Sequence, residues 1–166
     1  MHDNGNLSKG KKIAFAFMFW IVSLTWGCLS TVPGLLVSLI LLIRGHKAYR
    51  NGCSFIIEFG GNWGGLNMGA VSFCGSYHDS YNYWFEHTRR HEFGHSIQTL
   101  VLGPLQFVLV SIPSMIRYWY QRIRTMMGKS NYYYDYAIFE YTASKYGYYW
   151  IGRLEDSDMK YTYRRK

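Results

Sequence analysis

Cysteine is scarce in this chain of 166 residues: Cys28, Cys53 and Cys74 are odd in number and widely spaced. That pattern excludes a zinc ribbon and a Cys-x-x-Cys redox pair, and fits free thiols in a reducing, cytoplasm-facing setting. Acidic residues are also few, 10 Asp and Glu against 18 Lys and Arg, for a net charge of +8. An excess of that size suits nucleic acid or an anionic membrane surface. The chain has no RNP-like signature and no Gly-Lys-Ser/Thr phosphate loop, so nothing in it reads as a nucleic-acid partner site. Charge is missing altogether from residues 13–43. A straight helix of that length would measure about 46 Å against a hydrocarbon core of about 30 Å, so the run must bend.

What fills these gaps is apolar and aromatic. Phe, Trp and Tyr make up 19% of the chain, and Tyr and Trp beside long apolar runs suit the interfacial belts of a bilayer. Gly27 and the pair Pro33-Gly34 are the breakers of the first run, dividing it into residues 13–26 and 35–43. Lys9, Lys11 and Lys12 precede it, and Arg44, Lys47 and Arg50 follow. The positive-inside bias then places both ends on the cytoplasmic side. The expectation is a basic tail (1–12), a hydrophobic helical hairpin (13–50) and a core (51–166), integral to a bacterial-type cytoplasmic membrane. A single tilted span is the alternative to the hairpin. A cleaved signal peptide would need a small-x-small site, which does not follow the run.

Residues 53–59 and 66–73 are rich in β-branched and aromatic side chains and flank Gly60-Gly61-Asn62-Trp63-Gly64-Gly65. Two strands around a glycine turn, a small β-hairpin, is the economical reading.

The chemistry-bearing stretch is His91-Glu92-Phe93-Gly94-His95. Histidines four apart on a helix project from one face about 6 Å apart along the axis, within reach of one zinc ion. Glu92 would lie beside the metal, where a carboxylate takes a proton from an activated water. The same spacing also arises on an amphipathic helix that merely half-buries two histidines. Gly94 within the helix points to close packing by another element. Asp79 and Ser80 offer an N-cap, and Ile97, Leu100 and Val101 continue the helix. His87 extends the four-residue spacing, but it would lie about 12 Å from His95 along the axis, too far to share one ion. It is expected to support the site from beside it.

Downstream, residues 97–116 are uncharged and interrupted by Gly103-Pro104 and Pro113, and Arg117, Arg122 and Arg124 then restore the basic character. Trp119 and its tyrosine neighbours look like an interfacial anchor. Further on, Glu140, Ala143 and Gly147 share one helical face, so small residues let that helix press close and bring Glu140 within ligand reach. A catalytic zinc takes three protein ligands plus water, and His, His, Glu is one such set. Asp135, Glu155 and, less so, Glu58 are rivals for the third place.

His91-Glu92-x-Gly94-His95 followed by Glu140-x-x-Ala143-Ser144-x-x-Gly147 resembles the gluzincin pattern of integral-membrane zinc metallopeptidases of the heat-shock and CAAX-prenyl protease type. The resemblance covers about a fifth of the chain and implies a mainly α membrane protein with a zincin-like metal helix and a Glu-bearing helix. It further implies Zn2+ on His91, His95 and Glu140, with Glu92 as the base. Ser144 stands where that family carries an Asp that orients a zinc histidine. In length the chain is closer to a compact group of bacterial membrane proteins with an HExGH helix. An Asn-Pro-Asp-Gly motif, expected of site-two intramembrane proteases, is absent.

The expected activity is hydrolysis of a peptide or protein substrate at the cytoplasmic face of the lipid bilayer. A helper for the oxyanion would come from residues 132–136 or His78. The competing expectations are a non-enzymatic membrane accessory or immunity-type protein with a structural metal site, and a basic protein of anionic lipid surfaces.

Overall fold

Two tight turns and two glycine-lined helix faces set the architecture. The computed structural model describes residues 6–61, 63–75, 83–130 and 137–155. In chain order the elements are α1 (Lys9–Thr25), α2 (Cys28–Ile43), β1 (Ala48–Asn51), β2 (Ser54–Glu58), β3 (Gly65–Met68), β4 (Val71–Cys74), α3 (Tyr83–Leu102), a π-helical stretch (Phe107–Ser111), α4 (Ile112–Met126) and α5 (Ile138–Leu154). The chain is mainly helical, as expected, with one small sheet.

That sheet corrects the single hairpin expected around the Gly60–Gly65 run. It has four strands in the order β1-β2-β4-β3. β2 and β4 run parallel, so the chain between β2 and β3 connects two hairpins rather than forming the turn of one. Each true hairpin closes on two residues, Gly52-Cys53 and Gly69-Ala70. Gly52 and Gly69 take φ of 65° and 66°, the left-handed region that a tight turn needs at its first central position and that glycine enters without penalty.

Asn67 and Met68 point to opposite faces of β3, as neighbours in a strand must. The Asn67 amide donates to the Glu92 carbonyl oxygen and to Ser96 Oγ, fastening the sheet to α3. Met68 meets α2 at Gly34, where a β-carbon would come 2.7 Å from the Met68 carbonyl oxygen. Pro33-Gly34 is therefore not a helix break. Both residues lie inside α2, and Gly34 is small because the sheet crosses there. The break falls at Trp26-Gly27, and α1 and α2 meet at 101°, an elbow rather than an antiparallel hairpin. Pro113 likewise lies inside a helical run, where the π-helical stretch passes into the first turn of α4. Asp79 and Ser80, named above as an N-cap for α3, lie outside the described residues.

The core joins Phe19 of α1, Ile57, Val71 and Phe73 of the sheet, Phe93 and Ile97 of α3, and Ile151 and Leu154 of α5. Phe93, inside the histidine motif, stacks on Phe19 with ring centroids 5.8 Å apart. The other face of the two N-terminal helices is reversed from the usual arrangement. α2 buries Thr31, Gly34, Ser38 and Leu41 and leaves Leu29, Leu36, Leu39 and Ile43 exposed. Among the described residues no single helix is long and apolar enough to cross a membrane, whereas α1 and α2 together meet that length and composition.

Candidate metal centre

α3 and α5 approach backbone to backbone. A β-carbon on Gly94 would overlap the Ala143 carbonyl, and one on Gly147 would overlap the Arg90 carbonyl. The close packing expected of Gly94, Ala143 and Gly147 is thus present, and it carries Glu140 to the two histidines. The contact is reinforced at the far end of α5, where Arg89 pairs with Glu86 at 2.7 Å and with Glu155 at 2.9 Å. Burial works against the Arg89 charge, but the two carboxylates outweigh it and raise its pKa above the usual arginine value.

His91 Nε2 lies 3.0 Å from Glu140 Oε2, His95 Nε2 lies 3.3 Å from the same oxygen, and the two nitrogens are 3.2 Å apart. Ligand atoms about 2.1 Å from a tetrahedral ion stand about 3.4 Å from one another, so this triangle matches three corners of such a site with the fourth left to water or substrate. All three side chains are buried, Glu140 fully.

The hydrogen bonds behind the triangle decide what its atoms present. The Gln98 amide donates to the Phe139 carbonyl and to Thr142 Oγ1, which fixes its oxygen toward His95 Nδ1 at 2.8 Å. Nδ1 must then carry the proton, and in the neutral ring Nε2 presents a lone pair to the triangle. His91 Nδ1 lies 2.8 Å from Ser144 Oγ, so Ser144 occupies the supporting position by geometry. Ser114 donates to Glu140 Oε1 at 2.5 Å, leaving Oε2 for the centre. Glu140 Oε2 is buried with no hydrogen-bond partner among the described residues and faces the His95 Nε2 lone pair, so the residues present fit a metal ion. Burial alone would push the Glu140 carboxyl up. In their protonated form the neighbouring imidazoles outweigh it and hold the group well below the usual carboxylate range.

Glu92 is buried beside the triangle. Burial is the largest influence on its carboxyl and pushes it above the usual range, and His91 and His95 offset this only in part. Its side chain lies under β3, the edge strand of the sheet, where a β-carbon on Gly65 would run into the carboxylate. The backbone approach that glycine permits here is toward Glu92.

His87 stays out of the triangle. Its ring stacks on that of His91 with centroids 6.1 Å apart, and its Nδ1 lies 3.0 Å from Tyr148 Oη. The rival ligands fall elsewhere: Glu155 is held by Arg89 and the Gly52 N–H, and Glu58 accepts from Tyr49 Oη. Asp135, His78 and residues 132–136 lie outside the described residues. The three cysteines are free thiols.

Two contributors were missed in the sequence. Gln98 follows His95 by three residues, a spacing that places it on the ligand face. Ser114 carries no such signal, being 26 residues from Glu140 and on another helix. Because partners of this kind typically tune metal affinity by about 10–100-fold, Gln98→Leu is expected to weaken metal binding by about tenfold or more. Competition titration against a chromogenic chelator reads this directly, and an unchanged affinity would remove Gln98 from the site. Comparison of the chain with protein-family models, curated proteins and solved structures finds no match.

Proposed function

We propose that the protein is a zinc-dependent peptidase of the gluzincin kind that works at the cytoplasmic face of a membrane. The observation that carries this reading is the buried triangle of His91, His95 and Glu140 with a second carboxylate, Glu92, beside it under the edge strand β3. A two-imidazole, one-carboxylate set serves zinc and ferrous iron alike, and the carboxylate of Glu92 next to it is what favours the hydrolytic zinc reading. Zinc held there supplies Lewis-acid polarisation of a carbonyl and makes a water acidic, toward a pKa of about 7.

The chain's own residues do the rest. Glu92, with its affinity for a proton raised by burial, takes a proton from the attacking water and returns it to the leaving amine. β3 leaves one edge unpaired within the sheet, and an extended peptide lying along that edge would pass over Glu92 in strand-addition fashion. His91 and His95 are held in register by Ser144 and Gln98.

The membrane half of the proposal rests on the reversed burial of α2 and on the uncharged α1–α2 elbow, whose combined length suits an embedded or re-entrant segment.

Metal analysis of the purified protein beside His91→Ala and Glu140→Ala tests the centre. One zinc per chain is expected in the wild type and none in either variant. Zinc retained in both variants would show that these residues are not its ligands. Stoichiometric zinc with no hydrolysis of any member of a diverse peptide library would favour a structural site in an accessory protein.

A further inference from the structure

α4 is the one described helix that buries none of its residues. Its sequence is strongly two-sided. Ile112, Met115, Ile116, Trp119, Ile123 and Met126 recur at helical spacing along one stripe, and the five from Met115 onward are exposed. The polar side is the one that faces the protein, because Ser114, on the opposite side of the wheel, donates to the buried Glu140. The apolar stripe therefore faces away from the body. Exposed Arg122 borders the stripe on one side and exposed Lys129 follows the helix, while Arg117 and Arg124 lie farther round, on the half-buried polar side. From residue 93 to residue 134 the chain has no acidic residue.

A protein partner's apolar groove would match the stripe but not a helix whose charged residues, Arg117, Arg122 and Arg124, are all cationic. A leaflet of anionic lipid matches both, with acyl chains under the stripe and headgroups at its edges. The exposed residues Leu105, Phe107, Val108 and Leu109 just before α4 extend the same apolar surface. We infer that α4 is an interfacial helix that lies flat on an anionic leaflet, apolar stripe down, with Ser114 of its polar side at the metal centre. This holds whatever reaction the centre performs.

Site-directed spin labelling of the full chain tests the inference. Nitroxide is placed at Ile123→Cys, in the stripe, or at Thr125→Cys, exposed and off the stripe, each in a Cys28→Ser background. Cys53 and Cys74 are poor competitors for the label, since burial pushes both thiols up to about 12. In phosphatidylcholine vesicles containing phosphatidylglycerol, the label at 123 is expected to be reached by oxygen and shielded from a water-soluble nickel chelate, while the label at 125 stays open to the chelate. Removing charge with Arg122→Gln should raise the amount of anionic lipid needed for half-shielding by about fivefold. Shielding that is equal with and without phosphatidylglycerol overturns the assignment of anionic lipid. Chelate access at 123 in both vesicle types overturns docking altogether. Spin–spin broadening at 123 that persists in detergent would assign the stripe to a second copy of the chain instead.

Discussion

Glu92→Gln is expected to lower peptide hydrolysis by about 10²–10⁴-fold, the usual contribution of a positioned general base, while leaving bound zinc at one per chain. The substitution conserves volume and removes only the capacity to take a proton. The ligands are His91, His95 and Glu140, none of which depends on the Glu92 carboxylate for its hydrogen bonds: Ser144, Gln98 and Ser114 hold them. Glu92 and Glu140 are both carboxylates in one buried centre, yet their environments push them apart. Glu140 is held down by two imidazoles in their protonated form, while burial raises Glu92. A carboxyl raised by burial is what a base requires. Turnover of a cleaved peptide, read beside metal content on the same sample, decides the matter. Equal loss of zinc and activity would make Glu92 a structural member of the site, and an unaffected rate would take the base away from it.

How much of this was legible in the sequence follows the range of each interaction. His91, His95, Gly94, Ala143 and Gly147 lie at helical spacings, and a period of 3.6 residues states which of them share a face before any coordinates exist. The pairing of α3 with α5 was therefore readable from small residues on two faces. The sheet was misread because the conspicuous run Gly60–Gly65 drew the turn to itself. The better signals were shorter, Asn51-Gly52-Cys53-Ser54 and Met68-Gly69-Ala70-Val71, each with glycine first in a two-residue loop. Pro33-Gly34 misled in the same way, since a glycine that permits a strand to cross looks in sequence like one that ends a helix. Ser114 illustrates the limit of such reading. Its role depends on where α4 is laid against α5, and no local period records that placement.

The same helix contact makes the second large prediction. Gly147→Ala is expected to destabilise the protein by about 3 kcal/mol, at the upper end for an added methyl group, because the obstacle is a backbone carbonyl that cannot rotate aside. For a chain of this size that is a fall in melting temperature of about 6–12 °C. The loss extends to the centre. Glu140 stands two turns before Gly147 on α5, and His91 directly follows Arg90 on α3, so forcing the helices apart at Gly147 opens the ligand triangle. Zinc affinity should drop by about 100-fold or more, as when a ligand's support is lost. Gly152 supplies the control on the same helix, since a β-carbon there meets nothing within 4 Å. Gly152→Ala should be neutral or raise the melting temperature by about 2–4 °C, through a helix propensity gain of about 1 kcal/mol. If the two alanine variants melt alike and bind zinc alike, the α3–α5 contact is not what positions Glu140, and the metal centre would need another explanation for its assembly.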